Sequence, residues 1–243
     1  MTPKEAFWKL HEDLPRQGPG SIQTSDHLFS IATKNKVPAT AIDMGCGTGV
    51  GALYLAHKGV QVLAIDTNES YLQKLHTLAH EQHMESLIIT KHASMDDVSS
   101  LDTVDLIWAE GTMYIIGWEK ALTVWSQLLM PGGIIVATDC FWLTDKPSSR
   151  AAKFWEADPN MMDLEQAKQL IQRCGFDVLD TYVQPDSDWF DPYYIPLQSN
   201  IDKNSSSTDP TMIEMLQITQ EEIDVRRECG NEYGHVGFVM KKR

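Results

Sequence analysis

One short segment, Asp43-Met44-Gly45-Cys46-Gly47-Thr48-Gly49, has residue types and spacing suited to binding a ligand. It follows an apolar run directly and precedes a helical pattern, which is the position where open α/β sheets bind ligands. Its three alternating glycines let the backbone turn sharply and approach a ligand without a clash with Cβ atoms. The segment therefore predicts a ligand-binding turn between a strand and a helix.

Two carboxylates beside this turn bear on the kind of ligand. Asp43 ends the first apolar run, where its charge suits the ammonium and sulfonium groups of S-adenosylmethionine (SAM) and opposes a pyrophosphate. Asp66 ends the next apolar run and is placed to accept hydrogen bonds from both hydroxyls of a ribose. Asp66 thus supports an adenosine ligand, and it serves NAD and SAM equally. Gly47-x-Gly49-x-x-Ala52 also fits the looser fingerprint for NAD or FAD.

The centre of the chain alternates short apolar runs with helical patterns, which is typical of βαβ units and a parallel sheet. The predicted strands are 40–44, 61–66, 87–90, 104–109, 134–138, 177–183 and 235–240. The main predicted helices are 50–58, 118–129, 163–174 and 213–228, and Pro131-Gly132-Gly133 is expected to end the second of them. The predicted fold class is α/β, a Rossmann-like seven-stranded, mostly parallel sheet with helices on both faces and a last antiparallel strand.

Two stretches interrupt this rhythm, at about 140–160 and 185–212. Both are rich in Trp, Tyr, Asp and Pro, and both follow the carboxyl ends of predicted strands. Since 243 residues suit one α/β domain better than two, we predict a single domain, 1–243, in which these insertions form a lid or the wall of a substrate pocket. A polar run at 204–208 is expected to be a flexible loop.

The composition restricts the partners. Lys and Arg number 20 against 34 Asp and Glu, and the net charge of −14 disfavours nucleic acid and membranes as partners. The four cysteines are scattered, with no spacing that suggests a metal site. No apolar leader or membrane-length apolar run is present in the sequence. We therefore expect a cytoplasmic protein with a small-molecule substrate and no metal, and the oligomeric state stays open.

The order of four motifs resembles class I SAM-dependent methyltransferases: Asp43 to Gly49, Asp66, Val104-Asp105-Leu106-Ile107 and Leu129-Met130-Pro131-Gly132-Gly133. Two further segments, 14–21 and Trp108-Ala109-Glu110-Gly111-x-x-Tyr114, resemble a bacterial subset related to the ubiquinone- and menaquinone-biosynthesis methyltransferases. The resemblance covers about residues 14–239. It implies SAM as the cofactor and methyl transfer to a small-molecule nitrogen, oxygen or carbon nucleophile.

The resemblance also implies which residues contact SAM. The expected set is Arg16, Asp43, Gly45, Cys46, Gly47, Gly49, Asp66, Thr67, Ser94, Met95, Glu110 and Gly111. Within it, Ser94 and Met95 would lie at the adenine, although the family commonly has Asp where this chain has Ser94. Glu110 and Gly111 would face the methionine moiety. Arg16 would cover the methionine carboxylate, and its alternative role is a surface salt bridge.

Methyl transfer from a sulfonium is an in-line displacement, in which the protein positions the reactants and excludes water. A base is needed only where the nucleophile must lose a proton. The catalytic candidates are Glu110 and Tyr114, and the other residues expected around the pocket are Trp142, Trp189, Asp191, Tyr193 and Tyr194. The aromatic rings would stabilise a sulfonium or a cationic amine. The alternative is that they only pack the lid.

Three other interpretations stay open. An NAD(P)-dependent oxidoreductase would use the Gly47-x-Gly49 fingerprint, but it leaves Asp43 unexplained. A SAM-binding sensor or partner subunit would keep the cofactor site without catalysis. Glu110 and Glu119 resemble the paired glutamates that grip a guanidinium in protein arginine methyltransferases, although Glu119 also suits the first turn of a helix.

Overall fold

The computed structural model describes residues 1–158 and 161–243. Within them, seven strands form one sheet in the order β3-β2-β1-β4-β5-β7-β6. The strands are β1 (Thr40–Met44), β2 (Gln61–Asp66), β3 (Ile88–His92), β4 (Val104–Glu110), β5 (Leu129–Trp142), β6 (Phe176–Val183) and β7 (Tyr233–Lys242).

The helices occupy most of the remaining described chain. They are α1 (Pro3–Leu10), α2 (Ile22–Ala32), α3 (Val50–His57), α4 (Glu69–Glu81), α5 (Met113–Ile116), α6 (Trp118–Trp125), α7 (Ser149–Phe154), α8 (Leu164–Arg173), α9 (Asp186–Trp189), α10 (Ile195–Asn204) and α11 (Pro210–Cys229). Short 3₁₀ turns follow α6 and α7, and a π-helical turn, Phe190–Tyr194, joins α9 to α10.

The pairing of the strands confirms the predicted fold class. β3, β2, β1, β4 and β5 pair in parallel, and β6 pairs with β7 in antiparallel fashion. Because parallel neighbours end at the same edge, the carboxyl ends of β1, β2, β4 and β5 lie along one side of the sheet. Asp43, Asp66 and Glu110 lie at the ends of β1, β2 and β4, and the predicted ligand-binding turn follows β1.

The chain divides into two compact units. The sheet unit comprises Ile22–Cys140, Leu164–Gln184 and His235–Arg243, and the helical unit comprises Met1–Ser21, Phe141–Asp163 and Pro185–Gly234. The described residues of the two predicted insertions fall almost wholly in the helical unit. Residues 159 and 160 of the first insertion lie outside the described residues. The single-domain organisation stays a prediction.

One face of the sheet unit carries an apolar core that begins under α2. Trp108, Val136 and Val239 lie on this face and pack in one cluster with Leu28 of α2. Gly237 permits the approach, because a Cβ atom there would lie 2.7 Å from the Leu28 side chain. Side chains alternate along a strand, so the residues two positions further along β4 and β5 continue this face toward the carboxyl edge.

The helical unit contains helices that the sequence patterns did not predict. The stretch from 185 to 210, which interrupts the predicted α/β rhythm, is mostly helical. Helix α1 has Thr2 as its N-cap, and Thr2 and Glu5 form a capping box. Asp209 caps α11 through the backbone N–H groups of Thr211 and Met212. The Asn200 amide of α10 donates to the carbonyls of Leu10 and Glu12 and ties α10 to the end of α1.

The predicted role of Pro131-Gly132-Gly133 was wrong. Helix α6 ends earlier, at Trp125, and β5 begins at Leu129, so these residues lie inside the strand. They form a bulge, because β5 advances from Leu129 to Ile134 while β4 advances only from Val104 to Leu106. The positive φ of 73° at Gly132 makes the bulge possible.

Candidate functional site

The glycine turn, residues 45–49, connects β1 to α3 in a backbone conformation that favours glycine. Gly45 and Gly49 have φ values of 71° and 90°. A Cβ atom on Gly49 would lie 2.2 Å from Leu75, and one on Gly45 would lie 2.7 Å from Thr112. The N–H groups of Gly45 and Cys46 both donate to the Ile65 carbonyl at 2.9 Å, which fixes the turn against β2.

Asp66 ends β2 and bonds to the glycine turn. One carboxylate oxygen accepts the Gly47 N–H at 2.8 Å and the other accepts the Asn68 N–H at 2.8 Å. A carboxylate has about four lone-pair positions, so Asp66 has the capacity for two more donors, the number in a ribose diol. Thr67, the next residue, is exposed, and its carbonyl is in hydrogen-bond contact with His92 Nε2.

Asp43 is buried at the end of β1, in register with Trp108 of β4. The pKa of the Cys46 thiol is raised mainly by burial, and the charges of Asp43 and Asp66 raise it further. The thiol therefore stays protonated at neutral pH and is a poor nucleophile. The electrostatic environment that disfavours a thiolate at this turn favours a cationic ligand.

Ser94 and Met95 follow β3, and Met95 reaches the glycine turn. A Cβ atom on Gly45 would lie 3.3 Å from the Met95 Cε atom. The Ser94 hydroxyl donates to Asp96, whose other oxygen accepts Lys120 Nζ at 2.6 Å. The hydrogen bond from Lys120 is the main cause that lowers the pKa of the Asp96 carboxyl group, and the hydrogen bond from Ser94 lowers it further. Sequence reasoning missed this contact of Ser94 with Asp96.

Glu110 is held at the carboxyl end of β4. Its Oε1 atom accepts hydrogen bonds from the Trp108 indole at 2.8 Å and from the Ser25 hydroxyl at 3.2 Å. The next residue, Gly111, donates its N–H to the Thr138 carbonyl at 2.7 Å. Ser25 lies on α2, far away in sequence, and no local pattern indicated its contact with Glu110.

Tyr114 and Glu119 lie in the first turns of two consecutive helices after β4, α5 and α6. The Tyr114 N–H and the Trp118 indole both donate to one oxygen of Asp139, at 3.0 and 2.9 Å. The Tyr114 side chain is 59% exposed. Glu119 is exposed in the first turn of α6. The pKa of the Cys174 thiol is raised mainly by the burial of that thiol, and the charge of Glu119 raises it further. Glu119 thus lies beside the end of α8, a position that gives the guanidinium clamp no support.

The other predicted pocket residues belong to the helical unit. Trp142 lies edge-on to Tyr233, with ring centroids 6.3 Å apart, and Asp191 is exposed. The Tyr193 hydroxyl hydrogen-bonds His11 Nε2 at 3.1 Å, and the Tyr194 hydroxyl donates to Glu222 at 2.9 Å.

Arg16 and Trp189 are buried in the same unit. The Arg16 guanidinium contacts Gly20, where a Cβ atom would lie 2.7 Å from Nη1. The Trp189 ring stacks under the guanidinium of Arg226, whose carbon lies 4.3 Å from the ring centroid. Trp189 therefore has a structural contact that the sequence did not indicate.

Neither a metal centre nor a membrane span is found in the part of the chain that the structure describes. In residues 1–158 and 161–243, no group of three or more His, Cys, Asp or Glu side chains is arranged to hold a metal ion. None of the helices there is long and apolar enough to cross a membrane.

Comparison with known families supports this geometry. Residues 41–133 match the family model described as a methyltransferase domain. They include the glycine turn, Asp66 and the end of β4. This segment is therefore similar to a methyltransferase domain.

Relatives of the methyltransferase domain differ in what their names say they methylate. Sarcosine/dimethylglycine N-methyltransferase of Halorhodospira halochloris is 31% identical over 130 residues, covering 52% of this chain and 47% of that protein. Sterol 24-C-methyltransferase of Kluyveromyces lactis is 24% identical over 188 residues, covering 73% of this chain and 51% of that protein. The chain thus spans about half the length of these two curated relatives.

Solved structures share the fold over nearly the whole chain. A SAM-dependent methyltransferase from Geobacter sulfurreducens, in complex with S-adenosyl-L-homocysteine, superposes with a TM-score of 0.84. The two sequences are 17% identical, and the match covers 98% of each chain. The segment that matches the family model and the elements around it therefore share the fold of that structure.

Proposed function

We propose that this protein transfers a methyl group from SAM to a small-molecule acceptor. The observation that carries the proposal is the position of Asp66, whose carboxylate is fixed by two backbone N–H groups at the glycine turn and can still accept two hydroxyl groups. This is the arrangement that an adenosine ligand requires at the end of a second parallel strand.

The charges at the turn favour SAM over a dinucleotide. Asp43 and Asp66 make the environment of Cys46 negative, which suits an ammonium and a sulfonium and opposes a pyrophosphate. When bound, SAM would supply a methyl group on positively charged sulfur, so no residue of the chain has to form a covalent intermediate. The protein's task is to bind, orient and exclude water.

Residues at different positions of the sheet unit would contact different parts of the cofactor. We propose the cofactor contacts Asp43, Gly45, Cys46, Gly47, Gly49, Asp66, Thr67, Ser94, Met95, Glu110 and Gly111. Met95 packs against the turn and would contact the adenine, and Glu110 would face the methionine moiety and the reacting groups. Arg16 and the predicted pocket residues of the helical unit stay predictions.

The subset and the compartment are also proposals. Segments 14–21 and 108–114 support a place in the bacterial subset related to quinone-biosynthesis methyltransferases. The curated relatives are named for nitrogen and carbon methylation, so the acceptor atom stays open. The four cysteines are all free thiols, which supports a reducing, cytoplasmic location.

Calorimetric titration with S-adenosylhomocysteine and, separately, with NADH tests the cofactor. We expect binding of S-adenosylhomocysteine in the micromolar range and none of NADH. Binding of NADH alone would instead support an oxidoreductase. A second assay follows S-adenosylhomocysteine formation with amine, phenol and quinol acceptors. Tight binding with no turnover by any of them would favour a sensor or partner subunit.

A further inference from the structure

Four polar side chains follow one another across the sheet unit near its carboxyl edge, and we call Glu110, Thr138, His235 and Gln184 the polar row. Glu110 of β4 is in register with Thr138 of β5. A Cβ atom on Gly111 would lie 3.5 Å from the His235 ring, and the Gln184 N–H donates to the His235 carbonyl at 2.9 Å. The row therefore crosses β4, β5, β7 and the end of β6.

The polar row continues the face that holds the apolar core. Two residues before Glu110 and Thr138 on their strands lie Trp108 and Val136, both in the core cluster under α2. Tyr182, two residues before Gln184, packs against the same cluster. Helix α2 also reaches the row, because Ser25 donates to Glu110. The same face thus changes from apolar to polar as the strands reach their carboxyl ends.

Two buried members of the polar row each have a side-chain oxygen without a hydrogen-bond partner. Thr138 is 1% exposed and Gln184 is 3% exposed. Thr138 Oγ1 and Gln184 Oε1 make no hydrogen bond to any described residue. A buried hydroxyl or amide oxygen without a partner is destabilising compared with an apolar side chain of the same shape. Neither residue contributes to the proposed cofactor contacts, so a second ligand accounts for them best.

The chemistry of the polar row selects the class of this ligand. Its carboxylate, hydroxyl and amide oxygens accept hydrogen bonds, and the row includes no Lys or Arg. A carboxylate or phosphate would meet the charge of Glu110, and neither Lys nor Arg belongs to the row to balance it. An amine donates several hydrogen bonds and, when protonated, is attracted to Glu110.

We infer that Thr138 and Gln184, beside Glu110, bind the polar group of the methyl acceptor and that this group is an amine. The inference rests on the proposed function. In the transfer, the amine nitrogen in its free-base form bonds to the methyl carbon while the bond from that carbon to the sulfonium sulfur breaks. The products are S-adenosylhomocysteine and the methylated amine, and the proton lost from nitrogen passes to solvent.

Three probes of similar size test the class of the acceptor: benzylamine, benzyl alcohol and benzoate. Each is titrated calorimetrically into the full chain saturated with S-adenosylhomocysteine. We expect benzylamine to bind about tenfold more tightly than benzyl alcohol, since a charge-assisted hydrogen bond replaces a neutral one, and benzoate not to bind. Benzoate or benzyl alcohol binding as tightly as benzylamine, or no binding of benzylamine, would overturn the inference.

Thr138→Val and Gln184→Leu test the two residues. Each should weaken benzylamine binding about tenfold and leave S-adenosylhomocysteine affinity within about twofold. Thr123→Val and Gln172→Leu, exposed changes of the same types in the same unit, should alter neither. Thr138→Ser keeps the hydroxyl and should keep benzylamine binding, which guards against misfolding of the valine variant. Unchanged benzylamine affinity in both test variants would overturn the inference. Failure of the wild type to bind S-adenosylhomocysteine would instead overturn the proposed function.

Discussion

The glycine turn and the helical unit satisfy their polar groups in different ways. At the turn, backbone N–H groups of Gly47 and Asn68 hold the Asp66 carboxylate, and it keeps the capacity to accept two more hydrogen bonds. In the helical unit, distant side chains bond to one another, as Tyr194 does to Glu222. The first arrangement is local and suited to binding. The second is assembled from distant segments and stabilises that unit.

Gly49→Ala should have the largest effect on the turn. The added methyl group would lie 2.2 Å from Leu75 at a φ of 90°, so we expect a loss of about 3 kcal/mol in the free energy of unfolding. Gly59→Ala is the matched control, because its φ of 82° carries the same backbone strain and nothing lies within 4 Å. It should lose about 1 kcal/mol in urea unfolding. Equal losses in the two variants would show that the turn tolerates a side chain.

Asp66→Ala should separate binding from folding. Removing the proposed acceptor of two ribose hydroxyls should lower S-adenosylhomocysteine affinity about a hundredfold. Circular dichroism should show that the fold is intact. Asp177→Ala removes an exposed carboxylate paired with Arg243 and should leave the affinity unchanged. Equal affinities of the Asp66 variant and the wild type would contradict the ribose assignment.

Tyr194→Phe should affect stability and spare the cofactor site. It removes the hydroxyl that donates to Glu222, and we expect a loss of about 1–2 kcal/mol in the free energy of unfolding. Tyr114→Phe, a change in a side chain that is 59% exposed, should cost less than about 0.5 kcal/mol. Similar values for the two variants would show that the Tyr194 pair contributes nothing.

The smallest expected effect is a pH dependence from Glu222. Burial raises the pKa of this carboxyl group, and the Tyr194 hydrogen bond partly opposes the shift. The folded state therefore holds a proton that the unfolded state releases above its ordinary pKa of 4.5, so stability should fall as the pH rises from that value through the raised pKa. Glu222→Gln should flatten this slope in urea unfolding measured across that range, and an unaltered slope would assign it to other groups.

The same contrast explains what the sequence could predict. The glycine turn, Asp66 and the strands around them are specified by neighbouring residues, since glycine spacing and apolar runs are local signals. The partners of the site residues are not local. Ser25 reaches Glu110 from α2, and Asp139 joins Tyr114 to Trp118, because the fold brings together segments whose contacts leave no pattern along the chain.

Some predicted boundaries and types of secondary-structure elements were wrong for a related reason. Proline and glycine at 131–133 indicate a break, but the choice between a helix end and a bulge depends on the partner strand. The stretch from 185 to 210 is rich in aromatic, proline and acidic residues, which disguise its helical structure. Helix α10 keeps Pro196 in its first turn, where a missing N–H group is tolerated.

The bulge in β5 also has a use for protein engineering. Its residues lie before the run that pairs with β4 up to Glu110, whereas every proposed ligand-binding residue of β4 and β5 lies at the other end of that run. Residues 130–132 are exposed, and the bulge already holds residues of β5 that have no counterpart on β4. A short peptide tag or a fluorescent label placed in this bulge would therefore report on the protein from the end of the sheet that is remote from the glycine turn.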